Sequence, residues 1–304
     1  MLCIAEGFDV AQPCAASAIV FAMRRALIVL SLVLAASLPI CAQRENWTKP
    51  FPGHRVIGNL YYVGTYDLAA FLVTSDEGHI LINTGAESST PMIRESMESL
   101  GFKLQDVKIL LTMQAHWDHT AALAEIKEMT GAEMWATADD APVLEDGGVS
   151  DWHFGGRESF KPLKVSHIIK DGEVIELGGN RLTVIETPGH SNGSSSYTMK
   201  VTEGGRDYNV GIINMSSINP GKTMTGKPTY PGVAADFAET FLKQRSLDID
   251  VWVSAHASQY GLHKKFKPGQ AYSPDTFVDP EGYRAKVAGY EKAFFEQLAS
   301  ERPR

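Results

Sequence analysis

The sequence predicts an α/β fold in which two mixed β-sheets pack face to face, with helices on their outer faces. Short strand patterns occur in two clusters along the chain, and each cluster is followed by segments whose apolar residues have helical spacing. No low-complexity segment or linker separates the clusters. These observations favour a single αββα domain over residues 43–304.

The first cluster begins with short strands between residues 55 and 83, bounded by Gly, Asn and Asp. Consecutive strands of this kind are expected to pair antiparallel. Apolar residues at helical spacing then predict a helix over 90–101, and VKILLTM at 107–113 predicts a buried strand. The elements predicted next are an amphipathic helix over 119–131, a strand at 132–137 and a short helix over 138–146.

The second cluster also consists of short strands followed by helices. Strands are predicted at 164–170, 173–177, 181–187, 194–200 and 208–214, followed by a helix over 233–246, a strand at 248–256 and a final helix from about Pro280 to Ser300. The irregular, Gly-containing stretches Gly147–Pro162 and Asn219–Gly232 are candidates for loops that flank a functional site.

Composition and charge exclude some partners. The chain is 44% hydrophobic and 21% charged, with a formal net charge of -8, which is typical of a globular protein. No run of Lys or Arg is long enough to follow a phosphate backbone, so nucleic acid is not expected as a partner. Nothing in the sequence demands a partner subunit, and we expect a monomer that acts on a small molecule.

Residues 1–42 are predicted to be an N-terminal extension followed by a secretory signal. A short basic segment that begins at Met23 precedes the apolar run Ala26–Ala36 and a segment that ends in small residues, which is the order of a signal peptide. The run is too short to span a bilayer as a stable helix. We expect Met23 to be the true start, cleavage near Ala42, and a soluble periplasmic protein with no stable membrane span after cleavage.

All three cysteines, Cys3, Cys14 and Cys41, lie in this N-terminal region. The alternative to a cleaved signal is a lipoprotein anchored at Cys41, but Ile40 departs from the small residue expected before an acylated cysteine. A mature chain without cysteine has neither disulfides nor thiolate ligands. Any metal site in it must therefore use nitrogen and oxygen ligands.

The stretch Thr112–Ala122, TMQAHWDHTAA, concentrates metal-ligand side chains where a predicted strand ends. If the segment stays extended, Gln114, His116 and Asp118 face the same way, and His119 approaches the same space as a helix begins. Two histidines that bracket an aspartate are costly to bury without a metal. The stretch is therefore predicted to belong to a metal site and to supply ligands to two adjacent ions.

Two more histidines follow predicted strands. His190 comes after a Pro-Gly turn in IETPGHSNGSSS, and His256 follows a buried strand in VWVSAHASQYG. Loops at strand ends commonly supply ligands, although a lone histidine there is more often a surface or hydrogen-bonded residue. The remaining histidines are interpreted as structural or solvated, although His263 is a possible residue of the site mouth: His54, His79, His153, His167 and His263.

These motifs carry a resemblance to a known family. The strings QAHWDH (114–119), TPGH (187–190) and SAHASQYGLH (254–263) resemble the metallo-β-lactamase superfamily, and within it the subclass B3 enzymes of the Gln-variant, GOB-like branch. The similarity covers most of residues 43–304. It implies the αββα metallo-β-lactamase fold and two zinc ions as cofactors.

The resemblance also implies roles for individual residues. Gln114 stands where a histidine is usual, and an amide oxygen is a weaker zinc donor than an imidazole, so the first position is expected to bind its ion weakly and to be partly occupied. Asp118 would also be catalytic, because it would orient the attacking water. The implied ligands are Gln114, His116 and His190 for the first ion, and Asp118, His119 and His256 for the second.

Two absences narrow the implied activity. Lactonases, glyoxalases and phosphodiesterases of this superfamily generally carry a bridging aspartate that the corresponding stretch here, YNVGIINMSSINP (208–220), lacks near its end. The chain also lacks the cysteine ligand of other β-lactamase subclasses, and Met215 stands where relatives carry cysteine or serine. Both absences favour a B3-like β-lactamase, in which Ser217 resembles a contact to the substrate carboxylate.

The resemblance therefore implies a periplasmic zinc β-lactamase that opens penicillins, cephalosporins and carbapenems. A zinc-bound water that loses its proton near neutral pH would attack the strained amide, and the second zinc would stabilise charge on the departing nitrogen. Two alternatives stay open: a hydrolase of a lactone, thioester or phosphoester on the same fold, and a zinc-binding protein with little turnover. A serine hydrolase is disfavoured, because the chain has no SxxK motif, and its GxSxG string, GHSNG (189–193), is followed by a predicted strand and not by the helix of a nucleophile elbow.

Overall fold

The computed structural model of the protein describes residues 45–301. The predicted signal sequence, its cleavage near Ala42, and all three cysteines lie outside the described residues. The residues from Asn46 onward form one compact unit. Among the described residues, no helix has both the length and the apolar character needed to cross a membrane.

The first sheet has seven strands in the order β1-β2-β3-β4-β5-β6-β7. Neighbouring strands pair antiparallel from β1 to β4 and parallel from β4 to β7, so the sheet is mixed. Its strands are β1 (His54–Ile57), β2 (Leu60–Tyr62), β3 (Phe71–Val73), β4 (His79–Ile82), β5 (Val107–Leu111), β6 (Glu133–Thr137) and β7 (His167–Ile169).

The second sheet has five strands in the order β12-β11-β10-β9-β8. Strands β8 to β11 pair antiparallel, and β11 pairs parallel with β12. Its strands are β8 (Val174–Leu177), β9 (Asn180–Glu186), β10 (Ser195–Glu203), β11 (Arg206–Ile213) and β12 (Val251–Ser254).

Eight α-helices are described in residues 45–301 with both ends assigned: α1 (Thr90–Ser99), α2 (Trp117–Thr120), α3 (Leu123–Thr130), α4 (Asp140–Asp146), α5 (Val233–Ser246), α6 (Ala257–Tyr260), α7 (Leu262–Lys265) and α8 (Pro280–Ser300). Three short 3-10 helices cover Glu87–Ser89, Leu104–Asp106 and Pro274–Phe277. The two mixed sheets with their helices form an α/β sandwich, which confirms the predicted fold class.

The side chains of a central strand alternate between two apolar cores, which explains why the first sheet is buried on both faces. Ile80 and Ile82 of β4 belong to the larger apolar core, which contains residues of both sheets, whereas Leu81 between them packs in a second core. Ile93 of α1 and Ile126 of α3 belong to that second core. Because successive side chains of a strand point to opposite faces, a sheet buried on both faces needs continuous apolar runs, as Ile80, Leu81 and Ile82 of β4 provide.

The directions of the strands bring the segments that contain predicted ligands to one end of the second sheet. Strand β9 is antiparallel to β10, β10 is antiparallel to β11, and β11 is parallel to β12. Strands β9, β11 and β12 therefore run in the same direction, and the segments after Glu186, Ile213 and Ser254 leave the sheet at the same end. These segments contain His190, Ser217 and His256, so the topology places them at one edge.

The structure differs from the predicted elements after the two histidine-containing segments at His119 and His256. The predicted helix over 119–131 is two helices, α2 and α3, which are separated at Ala121 and Ala122. The short helices α6 and α7 after His256 were not predicted, because four-residue helices are too short for a recognisable apolar period.

Candidate metal centre

The QAHWDH motif begins in extended backbone and ends in a helix. Strand β5 ends at Leu111, and His116 is the extended N-cap residue of α2, with φ of -88° and ψ of 148°. The condition under which Gln114, His116 and Asp118 were expected to face the same way, an extended segment through Asp118, is therefore not met. Asp118 and His119 are consecutive residues in the first turn of α2, where they project about 100° apart, and so reach the site from a different direction.

Hydrogen bonds fix the backbone where the extended segment changes to a helix at His116. The side chain of Asn83, which follows β4 with a left-handed φ of 62°, accepts the N–H of Met113 at 2.8 Å. The Thr112 hydroxyl donates to the carbonyl of Gln114 at 2.7 Å, and the N–H of Thr84 donates to the carbonyl of His119 at 2.9 Å. The backbone on both sides of His116 is thus fixed by residues outside the motif.

His190 is presented by the loop between β9 and β10. Gly189 has φ of 126°, and a Cβ atom there would lie 2.8 Å from the ring of Phe237 in α5, so the turn requires glycine. The buried Lys222 ammonium donates to the carbonyls of Gly189 and His190 at 3.1 and 2.9 Å. Helix α5 and Lys222 therefore fix the turn from two sides.

Ser217 determines which nitrogen of His190 faces the site. The Nδ1 atom of His190 lies 2.7 Å from the carbonyl oxygen of Ser217 and 3.1 Å from its hydroxyl. A ring N–H that donates to a carbonyl leaves Nε2 as the lone-pair nitrogen. Ser217, which resembles a substrate contact in sequence, is thus placed in the structure as a partner of His190.

His256 is oriented by a carboxylate that the sequence reasoning missed. Asp67, in the loop between β2 and β3, lies with Oδ2 3.3 Å from Nδ1 of His256, and its Oδ1 accepts the N–H of Ser258 at 2.9 Å. No sequence pattern marked Asp67, because it lies 189 residues from His256 along the chain. Carboxylates that accept from the second nitrogen of a histidine are typical of metal sites.

Asp118, His119 and His256 form a cluster with the spacing of a metal site. One ligand atom of each lies within 4.8 Å of the others. Oδ2 of Asp118 is 3.4 Å from Nε2 of His119 and 3.4 Å from Nε2 of His256. Within residues 45–301 this is the one group of three or more histidine, cysteine, aspartate or glutamate side chains with that spacing.

The other three predicted ligands are buried, and two of them are neighbours. The rings of His116 and His190 are 5.0 Å apart between centroids. Gln114, His116 and His190 are all buried, at 2%, 3% and 7% exposure. The Oε1 atom of Gln114 and the Nε2 atom of His116 have no hydrogen-bond partner.

Buried polar atoms that lack hydrogen-bond partners indicate whether the residues of the site fit a zinc ion. Both ring nitrogens of His119 lack a hydrogen-bond partner although the residue is fully buried. A buried polar atom without a partner is costly, and a metal bond removes that cost. The available donors are imidazole nitrogens, carboxylate oxygens and one amide oxygen, and zinc accepts all but the amide readily. The residues therefore fit zinc.

Charges in the cluster favour the ligating forms of most side chains. Burial lowers the pKa of His119 to about 3, against the opposing effect of Asp118, so this histidine is neutral at pH 7. Burial raises the pKa of Asp118, but the neighbouring His119 and His256 hold it well below its usual range. Burial lowers the pKa of His256, but Asp118 and Asp67 raise it to about 9, so a metal must displace a proton there.

The remaining histidines have other neighbours. His54 stacks on Phe266 with ring centroids 3.9 Å apart, and His263 stacks on Tyr66 at 3.8 Å. His167 is paired with Glu173 at 2.7 Å. His79 packs edge-on against Phe102, and His153 against Phe154.

Asp67→Asn is expected to weaken binding of a metal ion at Asp118, His119 and His256 by about 10-fold to 100-fold, because loss of the carboxylate leaves His256 poorly oriented. Zinc titration of the metal-free protein against a competing chelator measures this change. Asp76→Asn, an exposed position in the turn before β4, is the control. Equal affinities in the two variants would contradict the orienting role of Asp67.

The fold and this site define the class of protein. The family model for the metallo-β-lactamase superfamily matches residues 66–203. The metallo-β-lactamase GOB-18 from Elizabethkingia meningoseptica is 40% identical, and the match covers 84% of this chain and 95% of that chain with a TM-score of 0.82. The chain belongs to the metallo-β-lactamase superfamily, and the predicted resemblance is confirmed.

A second solved structure points to the same subclass. The class B3 di-zinc metallo-β-lactamase LRA-12 from an Alaskan soil metagenome is 43% identical, with 83% of this chain and 96% of that chain covered and a TM-score of 0.81. A curated relative has a different activity: the hydroxyacylglutathione hydrolase of Bradyrhizobium sp. strain BTAi1 is 31% identical over 140 residues, 43% of this chain. The chain spans about half, 46%, of that relative's length.

Proposed function

We propose that this protein is a zinc-dependent β-lactamase that hydrolyses the amide of penicillins, cephalosporins and carbapenems. The observation that carries the proposal is the cluster of Asp118, His119 and His256 at 3.4 Å spacings, on a fold that covers 95% of a β-lactamase at 40% identity. The match to the hydroxyacylglutathione hydrolase of Bradyrhizobium sp. strain BTAi1 is lower in identity, at 31%, and covers less than half of each chain.

We assign two metal positions within this proposal. Asp118, His119 and His256 hold the second ion, and the other three predicted ligands, which are also buried, hold the first. The first position is the weaker one, because the amide oxygen of Gln114 replaces an imidazole nitrogen. The ligands of the first ion are Gln114, His116 and His190.

The chemistry follows from the side chains. Zinc bound here would lower the pKa of a water molecule and polarise the carbonyl of the amide. Oδ2 of Asp118 makes the contacts with His119 and His256, and the other carboxylate oxygen would orient the attacking water. Ser217 holds His190 through its carbonyl, and its hydroxyl, which is half-buried, is the group proposed to contact the substrate carboxylate.

A second candidate function is hydrolysis of a hydroxyacylglutathione thioester, which the curated relatives favour. The end of β11 argues against it. Asn214, Met215 and Ser216 follow this strand, all buried at 1% or less and none of them acidic. The chain therefore offers no carboxylate there for the bridging role that thioester hydrolases of this superfamily generally require. A third candidate, zinc binding with little turnover, follows from the weak donor at Gln114.

The test is hydrolysis of a carbapenem by the purified protein, followed by absorbance, with and without a metal chelator, beside hydrolysis of a hydroxyacylglutathione thioester. Turnover of the carbapenem that the chelator stops and zinc restores is the expected result. Turnover of the thioester alone would establish the second candidate. Two bound zinc ions without turnover of either substrate would support the third candidate, a zinc-binding protein with little turnover.

Gln114→His is expected to retain activity and to tighten binding of the first zinc by about 10-fold, because an imidazole nitrogen is the stronger donor. Zinc titration against a chelator measures the affinity, and Gln105→His, at an exposed position in the turn before β5, is the control. A variant that binds less zinc than the natural protein would contradict our reasoning about donor strength.

We also propose that the protein is exported to the periplasm as a soluble monomer. The support is the basic start and apolar run between Met23 and Ala42. Cell fractionation with mass determination of the mature N-terminus tests this, and a mature protein lipidated at Cys41 would contradict it.

A further inference from the structure

The residues assigned to the first metal ion come from two different sheets. Gln114 and His116 follow β5 of the first sheet, whereas His190 lies in the loop that leads into β10 of the second sheet. A metal ion needs its ligands at fixed distances. The way in which the end of β5 is attached to the start of β10 is therefore expected to affect binding of this ion.

Hydrogen bonds join these two elements directly. The hydroxyl of Tyr197, in β10, donates to the carbonyl of Thr112 at 2.7 Å. The N–H of Ser195 donates to the carbonyl of Met113 at 2.9 Å, and the Ser195 hydroxyl lies 3.1 Å from that of Tyr197. Both acceptor carbonyls follow the last residue of β5, so the second sheet fixes the segment that leaves the first sheet.

The link from Tyr197 reaches Gln114 through Thr112. The Thr112 hydroxyl donates to the carbonyl of Gln114 at 2.7 Å and accepts its N–H at 3.3 Å. Both polar groups of the Gln114 backbone are thus bonded to Thr112, whose own carbonyl is held by Tyr197. The Oε1 atom of Gln114 is buried and has no hydrogen-bond partner, so its direction depends on this backbone.

Tyr197 provides a bond that neighbouring groups do not replace. Its side chain is fully buried, and burial raises the pKa of its hydroxyl well above the usual range, so the hydroxyl keeps its proton and donates it. The Ser195 hydroxyl lies 3.4 Å from the Thr112 carbonyl, which is longer than a normal O–H···O bond. Loss of the Tyr197 hydroxyl would therefore leave a buried carbonyl without a good donor, which is costly.

The histidine of the second metal position is attached to a different part of the chain. The N–H of Ala69 donates to the carbonyl of Ala255 at 3.0 Å, and the N–H of Ala257 donates to the carbonyl of Asp67 at 2.8 Å. The segment between β2 and β3 thus holds the backbone on both sides of His256. Neither bond involves β10.

The helix that carries Asp118 and His119 also has its own attachment. The carbonyl of His119 accepts the N–H of Thr84 at 2.9 Å, and the N–H of Ala121 donates to the carbonyl of Gly85 at 3.1 Å. These bonds come from the segment that follows β4 in the first sheet. The two metal positions are therefore supported by different hydrogen bonds.

We infer that Tyr197 is a positioning residue for the first metal ion. It acts through Thr112 and fixes the segment that carries Gln114 relative to the loop that carries His190. The inference rests on the metal positions of the proposed function and not on the β-lactam substrate. Removal of the Tyr197 hydroxyl weakens binding at the first position and leaves the second position unchanged.

The experiment measures each metal position alone, in the full-length protein. His256→Ala removes a ligand of the second ion, so that zinc binding reports the first position, and His190→Ala isolates the second position in the same way. Tyr197→Phe, which keeps the ring and removes the hydroxyl, is added to each of these variants. Titration of the metal-free proteins with zinc against a competing chelator gives the affinities, and the visible spectrum of bound cobalt reports the ligand geometry.

Tyr197→Phe is expected to weaken zinc binding about 10-fold in the His256→Ala variant and to change affinity by less than about 2-fold in the His190→Ala variant. The cobalt spectrum is expected to change only in the His256→Ala variant. Tyr283→Phe is the matched control, because Tyr283 is also buried and its hydroxyl donates to the carbonyl of Gln244 at the same distance, 2.7 Å. This control is expected to change neither affinity.

Unchanged affinity at the first position in Tyr197→Phe would overturn the inference. An equal loss at both positions would also overturn it, because that is the result expected of a residue that only stabilises the fold. If Tyr197→Phe does not fold, Thr112→Val replaces it, since it breaks the same link beside Gln114 and keeps the shape of the side chain. A His256→Ala variant that binds no zinc would remove the proposed first position together with this inference, whereas unchanged binding in a variant that does bind zinc removes the inference alone.

Discussion

Asp118→Asn is expected to lower carbapenem hydrolysis by at least about 100-fold. Oδ2 of Asp118 is the atom shared by the contacts with His119 and His256, so it lies at the centre of the cluster. Asparagine keeps the size of the side chain but replaces the negative charge with a neutral amide. In the proposed site the second ion would then lose an anionic ligand, and the attacking water would lose the group that orients it.

Steady-state kinetics together with the zinc content of each preparation measure this effect. Asp106→Asn, an exposed carboxylate in the 3-10 turn before β5, is the control and is expected to match the natural protein. Near-natural turnover in Asp118→Asn would refute the assignment of Asp118 to the metal centre. Loss of turnover with full zinc content would assign the loss to the orientation of water.

Phe237→Ala is expected to lower the free energy of unfolding by about 3–5 kcal/mol. Phe237 is fully buried in α5, and its ring centroid lies 6.2 Å from that of Phe241 and 5.5 Å from that of Phe294 in α8. It also packs beneath Gly189, the residue that turns the chain before His190. Its removal leaves a cavity between α5, α8 and the turn.

Urea denaturation monitored by circular dichroism gives the free energy of unfolding. Leu242→Ala is the matched control, because this residue lies on the same helix but is 60% exposed, and its loss is expected to change stability by less than about 0.5 kcal/mol. Similar losses in the two variants would show that Phe237 does not support the core as described.

The fold class was predictable because the spacing of apolar residues that marks a strand or a helix extends over only a few neighbouring residues. In β4, Ile80 and Ile82 belong to one core and Leu81 to the other, and such a run of three apolar residues shortly after a glycine is recognisable without any tertiary information. The helices α5 and α8 have the predicted bounds. The helix after the metal motif was predicted as one segment because its break at Ala121 and Ala122 involves no residue that disfavours helices.

The candidate site was predictable where its residues are close in sequence or belong to a family motif. His116, Asp118 and His119 are within four residues, and their spacing alone indicated a metal. His190 and His256 needed the resemblance, because a single histidine after a strand is uninformative by itself. The direction of Asp118 was not predictable, since it depends on where α2 begins.

The sequence by itself determined the layers of the fold, the metal motif and the superfamily, because each depends on residue types at short, fixed spacings. Only the tertiary structure decided which residues surround the ligands. Asp67 and Asp151 lie in loops of other elements, and they reach His256 and His116 only after the two sheets have packed and the strand ends have come together. Contacts between residues so distant in sequence are set by packing, which leaves no local pattern in the chain.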